Sequence, residues 1–328
     1  MDKEIRELEV TDYSEFIELC RNFIFQGKVV VDVLDDICLF DYANIKFEEL
    51  RESDLLQSVR GLIIDTANNK MLNKSILRFK AIDELIPNID KIVGIYEKID
   101  GCLCFSYNYK GEVCWTVRRF LRSEIAERVD SIIREKYQEL RNYILENEIV
   151  LFCEYVGELS KIVVPYKKEE VVLLAAYDLN QDKKLNRKNL EEISQKYNIK
   201  LVKQFDVTIY DVLDSLDSLT TQLEGYIIEF EDGEYMKLSS RFYNLLYDLL
   251  EYPSYKRFSY CWAKMKLIGR LGEFYSFISS ERNIEHLFNE LGDIYQSNFL
   301  LPQLLISFWR VIILKNYCLK DCRKAYEN

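Results

Sequence analysis

The stretch Tyr96-Glu97-Lys98-Ile99-Asp100-Gly101-Cys102-Leu103 places the tightest constraint on how this chain can fold. An apolar run, Ile92-Val93-Gly94-Ile95-Tyr96, reads as a strand that ends at a lysine; an acid and a glycine follow, and a second apolar strand begins at once. The pattern puts Lys98 at the lip of a β-sheet. At such a place, partial burial beside other cations eases loss of an amine proton, the condition a nucleophilic lysine needs. Lys-x-Asp-Gly is also a common way to write a polar β-turn. The rest of the chain has to separate the two readings.

Length and composition permit the demanding one. The 328 residues suffice for a large domain and a smaller one, and the 48% apolar and 30% charged content is that of an ordinary globular protein. A single histidine, His286, makes most zinc sites and Ser-His or Cys-His hydrolysis poor candidates, leaving lysine, arginine and carboxylates, with or without a metal ion. Nine scattered cysteines without a Cys-x-x-Cys pair read as buried reduced thiols, and the chain is expected in the cytoplasm, or in a host cytoplasm if it is viral. The net charge of −11 does not advertise nucleic-acid binding, yet a local basic surface binds phosphate on an acidic protein. The apolar run over residues 299–314 is too short and too interrupted to span a membrane and reads as a buried helix.

In chain order, residues 11–24 predict a capped helix and 29–42 predict strands. Residues 59–65 read as a strand entered through Arg60-Gly61. A hairpin is expected over residues 103–117 around Lys110-Gly111, then one helix over 122–145. Strands follow at 149–155, 162–164 and 171–177, a helix near 188–196, and a hairpin over 225–238 turning at Asp232-Gly233. From Arg241 on the pattern is helical, with breaks at Pro253, Gly272, Asn283 and Pro302.

Four further features accompany Lys98. Arg60-Gly61 offers a fork for an anion or a surface ion pair. Glu154, in Phe152-Cys153-Glu154-Tyr155-Val156-Gly157, either takes a ribose hydroxyl or a metal ion, or is an exposed strand-end acid. Glu224, in Leu223-Glu224-Gly225-Tyr226, either joins Glu154 around a metal ion or starts a strand. Lys237, in Tyr235-Met236-Lys237-Leu238-Ser239, either meets a phosphate or is a charged edge residue.

Taken together, Lys-x-Asp-Gly, Glu-Tyr-Val, Glu-Gly-Tyr and Met-Lys-Leu resemble motifs I, III, IV and V of ATP-dependent ligases in order and spacing. Glu154-Tyr155-Val156-Gly157 with Lys161-Ile162-Val163-Val164-Pro165-Tyr166 is most similar to the bacteriophage-type RNA ligases that repair tRNA, within the covalent nucleotidyltransferase superfamily. The resemblance covers about residues 40–245. It implies an α+β nucleotidyltransferase (ligase adenylylation) domain of packed antiparallel sheets and helices over residues 1–247. A small all-helical domain over residues 248–328 would follow, a candidate RNA-specificity module in which Lys256, Arg257, Lys264, Lys266 and Arg270 offer a basic face.

By position, the resemblance makes Lys98 the adenylylated nucleophile, with Asp100 and Lys237 also catalytic. Arg60, Arg78, Gly101, Arg118, Glu154 and Glu224 join Lys98 and Lys237 as nucleotide-binding residues, with Lys80 an alternative to Arg78. Glu154 and Glu224 would hold the metal. ATP and Mg²⁺ or Mn²⁺ are the implied cofactors. RNA ends, nicked tRNA among them, are the implied partners; no membrane and no protein partner is implied. There are two departures: Ser239 stands where motif V has its second lysine, and Arg118-Arg119-Phe120 replaces a basic-Gly-Ser pattern. Two other outcomes stay open, AMP transfer to DNA or protein and a nucleotide-binding module that no longer ligates.

Overall fold

The fold is a computed structural model describing residues 13–43, 45–75, 79–80, 91–219, 221–251 and 254–280. Arg78 and the run at 299–314 lie outside these residues. The chain divides into two units, Met1–Ser240 and Arg241–Asn328. The division falls where the last strand gives way to helix, a few residues before the 247/248 boundary expected from sequence. Among the described residues no helix is long and apolar enough to cross a membrane.

The first unit is α+β. Helix α1 (Tyr13–Phe25) leads to a hairpin of β1 (Val29–Leu34) and β2 (Ile37–Tyr42). Two short helices follow, α2 (Phe47–Glu52) and α3 (Asp54–Ser58), then β3 (Leu62–Asp65) and β4 (Lys70–Met71). Neither short helix was legible in the sequence, because five or six residues show less than two turns of periodicity. The four strands form an antiparallel sheet in sequence order. Phe16 and Cys20 of α1 pack with Phe40, Leu56 and Ile64 in its core.

A second sheet carries β7 (Cys102–Tyr109), β8 (Glu112–Val117), β9 (Ile149–Val156), β10 (Glu170–Asp178), β11 (Lys183–Lys184) and β12 (Lys200–Leu201). The β7–β8 hairpin turns at Lys110 and Gly111, both with positive φ, as a two-residue turn matched to strand twist requires. The expected single helix at 122–145 is two, α4 (Glu124–Lys136) and α5 (Gln138–Asn147), parted at Tyr137, whose ψ of 44° leaves the helical region. The break turns Val129, Ile132 and Ile133 of α4 and Leu140 and Ile144 of α5 into the same core as Cys153 and Tyr155. Helix α6 (Arg187–Tyr197) crosses back so that β12 joins β10 in parallel, the connection parallel pairing needs.

The third sheet has the order β5 (Phe79–Lys80), β14 (Tyr235–Ser239), β13 (Gly225–Phe230), β6 (Ile92–Lys98), with β5 parallel to β14. The described residues hold three sheets, and where antiparallel sheets were expected two of the three carry a parallel edge pair. Ile95, Ile228 and Met236 face a core completed by Ile209 and Val212 of α7 (Ile209–Ser215). The other face belongs to the site.

The second unit contains α8 (Arg241–Glu251), α9 (Tyr255–Leu267) and α10 (Leu271–Ser280). The break between α9 and α10 falls at Gly269, whose φ is +72°, and Gly272 lies inside α10. Phe258 of α9 packs on Phe274 of α10, and the Trp262 indole N–H donates to the Tyr275 hydroxyl at 2.8 Å. Lys256, Arg257 and Lys266 are exposed on α9.

Candidate active site

The register of the third sheet assembles the site. Across β6, β13 and β14, Lys98, Gly225 and Ser239 form one row, and Tyr96, Ile227 and Lys237 the next. Residues directly opposite in an antiparallel ladder share a face, so both lysines and Ser239 project from one side. Gly225 keeps that row narrow: a Cβ there would lie 2.0 Å from the Leu238 carbonyl oxygen. The Lys98 ammonium forms an ion pair with Glu224, which leads β13 and is 6% exposed. The Ser239 hydroxyl donates to the same Glu224 oxygen at 3.3 Å. One carboxylate thus gathers the lysine and the serine that replaces a motif lysine.

After Lys98 the chain leaves the third sheet and enters β7 of the second, and Asp100 and Gly101 make the passage. Asp100 is 2% exposed. Its Oδ2 accepts the backbone N–H groups of Val163 at 2.8 Å and Val164 at 2.7 Å, and its own N–H donates to the Tyr166 hydroxyl at 3.0 Å. Residues 162–164 are therefore a bend and not the expected strand, since two of their N–H groups are committed to a side chain. Gly101 is required by close approach: a Cβ would lie 2.4 Å from the Tyr155 carbonyl oxygen and 2.9 Å from Glu154 Cγ.

That approach brings in Glu154, paired across the ladder with Leu103. Burial pushes its carboxyl up to about 8; Lys98 opposes the shift, and the anions Glu224 and Asp100 add to it. Glu224 is also raised by burial, with Lys98 opposing. Lys237 is shifted the other way, first by desolvation of its amine and then by the cations Lys98 and Arg60, against Glu224. Lys237 as a residue remains exposed, so solvent screens part of this effect. Three acids and three cations thus feel one another, the coupled environment that makes this cluster the candidate site.

Arg60 is 9% exposed, with its guanidinium carbon 6.0 Å from the Phe79 ring centroid, on the strand beside β14. Lys80 is described only as a β5 residue paired with Met236. Arg118 stands one residue past the Cys104↔Val117 pair, beside Leu103, and is held by Asp41 of β2. The structure therefore brings Lys98, Asp100, Gly101, Glu154, Glu224 and Lys237 together, with Arg60 within electrostatic reach of Lys237 and Arg118 at the strand edge.

Sequence reasoning missed the residues that fix this arrangement. Glu229 accepts from the Tyr96 and Tyr235 hydroxyls, each at 2.8 Å, and from Lys184 at 2.5 Å, tying β6, β13 and β14 to β11 of the second sheet. Arg128 and the Tyr155 hydroxyl meet at Glu169 and secure the far end of the segment that Asp100 holds. The alternating acid in Ile227-Ile228-Glu229 was the only available signal, and it named no partner.

Residues 58–252 match the RNA ligase family, more than half of the chain, and the chain belongs to that family. No curated protein sequence matches it. Among solved structures it is similar to a Naegleria gruberi RNA ligase with PPi, at 17% identity and a TM-score of 0.41, over 51% of this chain and 56% of that one. A lysine-to-alanine mutant of the Naegleria gruberi RNA ligase with ATP and Mn matches at 17% identity and a TM-score of 0.41, over 49% and 53%. An aspartate-to-alanine mutant of the same enzyme, apo, matches at 16% identity and 0.44, over 54% and 58%. The chain spans little more than half the length of these structures.

Proposed function

We propose that the protein is an ATP- and divalent-metal-dependent RNA ligase that joins a 3′-hydroxyl to a 5′-phosphate through a Lys98-AMP intermediate, acting in RNA repair with nicked tRNA as a candidate substrate. The ion pair of Lys98 with Glu224, in a cluster with Glu154 and Lys237, carries this reading. The Lys98 amine attacks the α-phosphorus of ATP, a P–N bond forms, and the bond to the β-phosphate oxygen breaks with release of pyrophosphate. An oxygen of the RNA 5′-phosphate then displaces Lys98 from the AMP, and the 3′-hydroxyl displaces AMP in turn. Negative charge grows on phosphate oxygens at each step, and Lys237, Arg60, Arg78 and Arg118 are the proposed cations for it. Asp100 holds the nucleophile's turn on residues 163–164.

The donor set suits a hard divalent ion. No group of three or more acids, histidines or cysteines stands ready for a metal among the described residues. Mg²⁺ and Mn²⁺ bound with a nucleotide take one or two carboxylates and complete their shell with phosphate oxygens and water. Glu154 and Glu224 supply that pair; burial raises the Glu154 carboxyl first, the anions Glu224 and Asp100 add to it, and a bound cation would favour the ionised form. An ion held by Glu154 and Glu224 would supply positive charge to the triphosphate oxygens.

The helical unit is proposed as the RNA-specificity module, with the exposed Lys256, Arg257 and Lys266 as phosphate contacts. The described cysteines are free thiols, which fits a reducing cytoplasm. Incubation with α-labelled ATP and Mg²⁺ tests the proposal: label is expected on the wild type and absent from Lys98→Ala. Undiminished label on Lys98→Ala removes the covalent lysine. Sealing of a nicked tRNA stem-loop in preference to nicked DNA is then expected; label without RNA sealing points to another AMP acceptor.

A further inference from the structure

A hairpin upstream of the family-matched residues grips the turn that begins at Arg118. Asp41, on β2, is fully buried, and its two carboxylate oxygens accept Arg118 Nε–H and Nη2–H at 2.8 Å each. Tyr42 lies against the same guanidinium, 5.1 Å from centroid to Cζ, and its carbonyl accepts from Arg119 at 3.1 Å. On β1, Asp32 accepts the Leu121 N–H at 2.7 Å. Within the turn, the Thr116 hydroxyl donates to the Phe120 carbonyl at 2.6 Å, and Arg119 adopts a φ of +72°. Attachments of Arg118, Arg119 and Leu121 to β1 and β2 therefore fix a turn whose backbone is not one a free chain prefers.

These contacts have a direction. A carboxylate withdrawn from water is costly unless a matched cation meets it, so Asp41 confines Arg118 to the one pose that satisfies both oxygens. The fork also fixes the plane of the guanidinium, which a single hydrogen bond does not. The Arg118 side chain keeps 28% exposure, so it is presented at the strand edge and not sealed in. Arg118 follows Val117, the partner of Cys104, and Leu103, the residue before Cys104, pairs with Glu154, so the turn starts at the end of the sheet that carries Glu154.

We infer that Asp41 is a positioning residue for the active site, holding Arg118 so that the guanidinium edge turned away from Asp41 meets a phosphate of the bound nucleotide, with Tyr42 and Asp32 setting the turn. This rests on the reading of Arg118 as a nucleotide contact. The β1–β2 hairpin thereby becomes part of the nucleotide site although it lies outside residues 58–252.

The test measures, on the full chain, the ATP concentration for half-maximal formation of Lys98-AMP and the maximal rate, with near-UV circular dichroism to verify folding. Arg118→Ala and Asp41→Asn are each expected to raise half-saturating ATP about tenfold with little change in maximal rate, within the roughly 10²-fold that ångström-scale misplacement can cost. The double variant is expected to be no worse than Arg118→Ala, because the two act through one contact. A folded Asp41→Asn with wild-type half-saturation, beside an impaired Arg118→Ala, overturns the positioning role alone. An unimpaired Arg118→Ala instead removes the nucleotide contact itself. If Asp41→Asn does not fold, Arg118→Lys takes its place: it keeps the charge but loses the two-pronged fork on Asp41, and unchanged half-saturation there overturns the proposal.

Discussion

Replacing Asp100 with alanine should damage the protein's stability and the placement of its nucleophile together. The buried carboxylate accepts two backbone N–H groups at 2.8 and 2.7 Å, from residues more than sixty positions downstream. A hydrogen bond to a charged acceptor contributes about 1.5–3 kcal/mol, so losing two costs about 3–6 kcal/mol if no water enters to replace the oxygen. For a unit of this size that lowers the thermal midpoint by roughly 6–24 °C. Asp100→Asn keeps one acceptor oxygen and should fall between alanine and wild type. Urea titration gives the free energy, and labelling with α-labelled ATP at a temperature where each variant is folded gives the catalytic effect. Labelling should fall even in the folded fraction, because the turn that carries Lys98 loses its anchor on Val163 and Val164. A destabilisation below about 1 kcal/mol for Asp100→Ala would mean that these contacts do not hold the segment in solution.

Two further outcomes follow from the same geometry. Ser239→Lys adds a cation to the row of Lys98 and Gly225, and should lower half-saturating ATP severalfold in the labelling assay; no change would show that phosphate does not reach that row. The Glu154 carboxyl is raised from 4.5 to about 8, so the folded state binds this proton more tightly than the unfolded chain does. Its contribution to stability is fully present below 4.5 and is lost as pH rises through about 8, with Glu224 shifted in the same direction. Thermal midpoints measured across that window should decline more steeply for wild type than for Glu154→Gln, and equal slopes would show that the carboxyl ionises freely.

Much of this protein was legible one residue at a time. The hairpins at Lys110-Gly111 and Asp232-Gly233 follow from turn residues between alternating apolar runs, with positive φ at Lys110, Gly111 and Gly233, a local rule. The helical character after Arg241 follows from periodicity. The identities of Lys98, Glu154, Glu224 and Lys237 were marked by charge at the ends of, or within, apolar strands, where it has to be explained. Each of these signals lies within a few residues of the feature it specifies.

Tertiary structure decided what sequence could not. Residues 162–164 carry a strand's composition, but Asp100 claims their N–H groups. Tyr137 divides a continuous helical pattern because both halves must reach one core. The Asp41–Arg118 fork joins positions 77 apart. The Lys98–Glu224 pair exists because β6 and β13 are hydrogen-bonded neighbours, so their register sets which acid meets the lysine. Sequence by itself determined which groups were available for chemistry, because side-chain type and local backbone preference are written residue by residue. Which of them meet was settled only by strand pairing and burial, since a hydrogen bond or ion pair depends on distance in space and carries no mark of its partner along the chain.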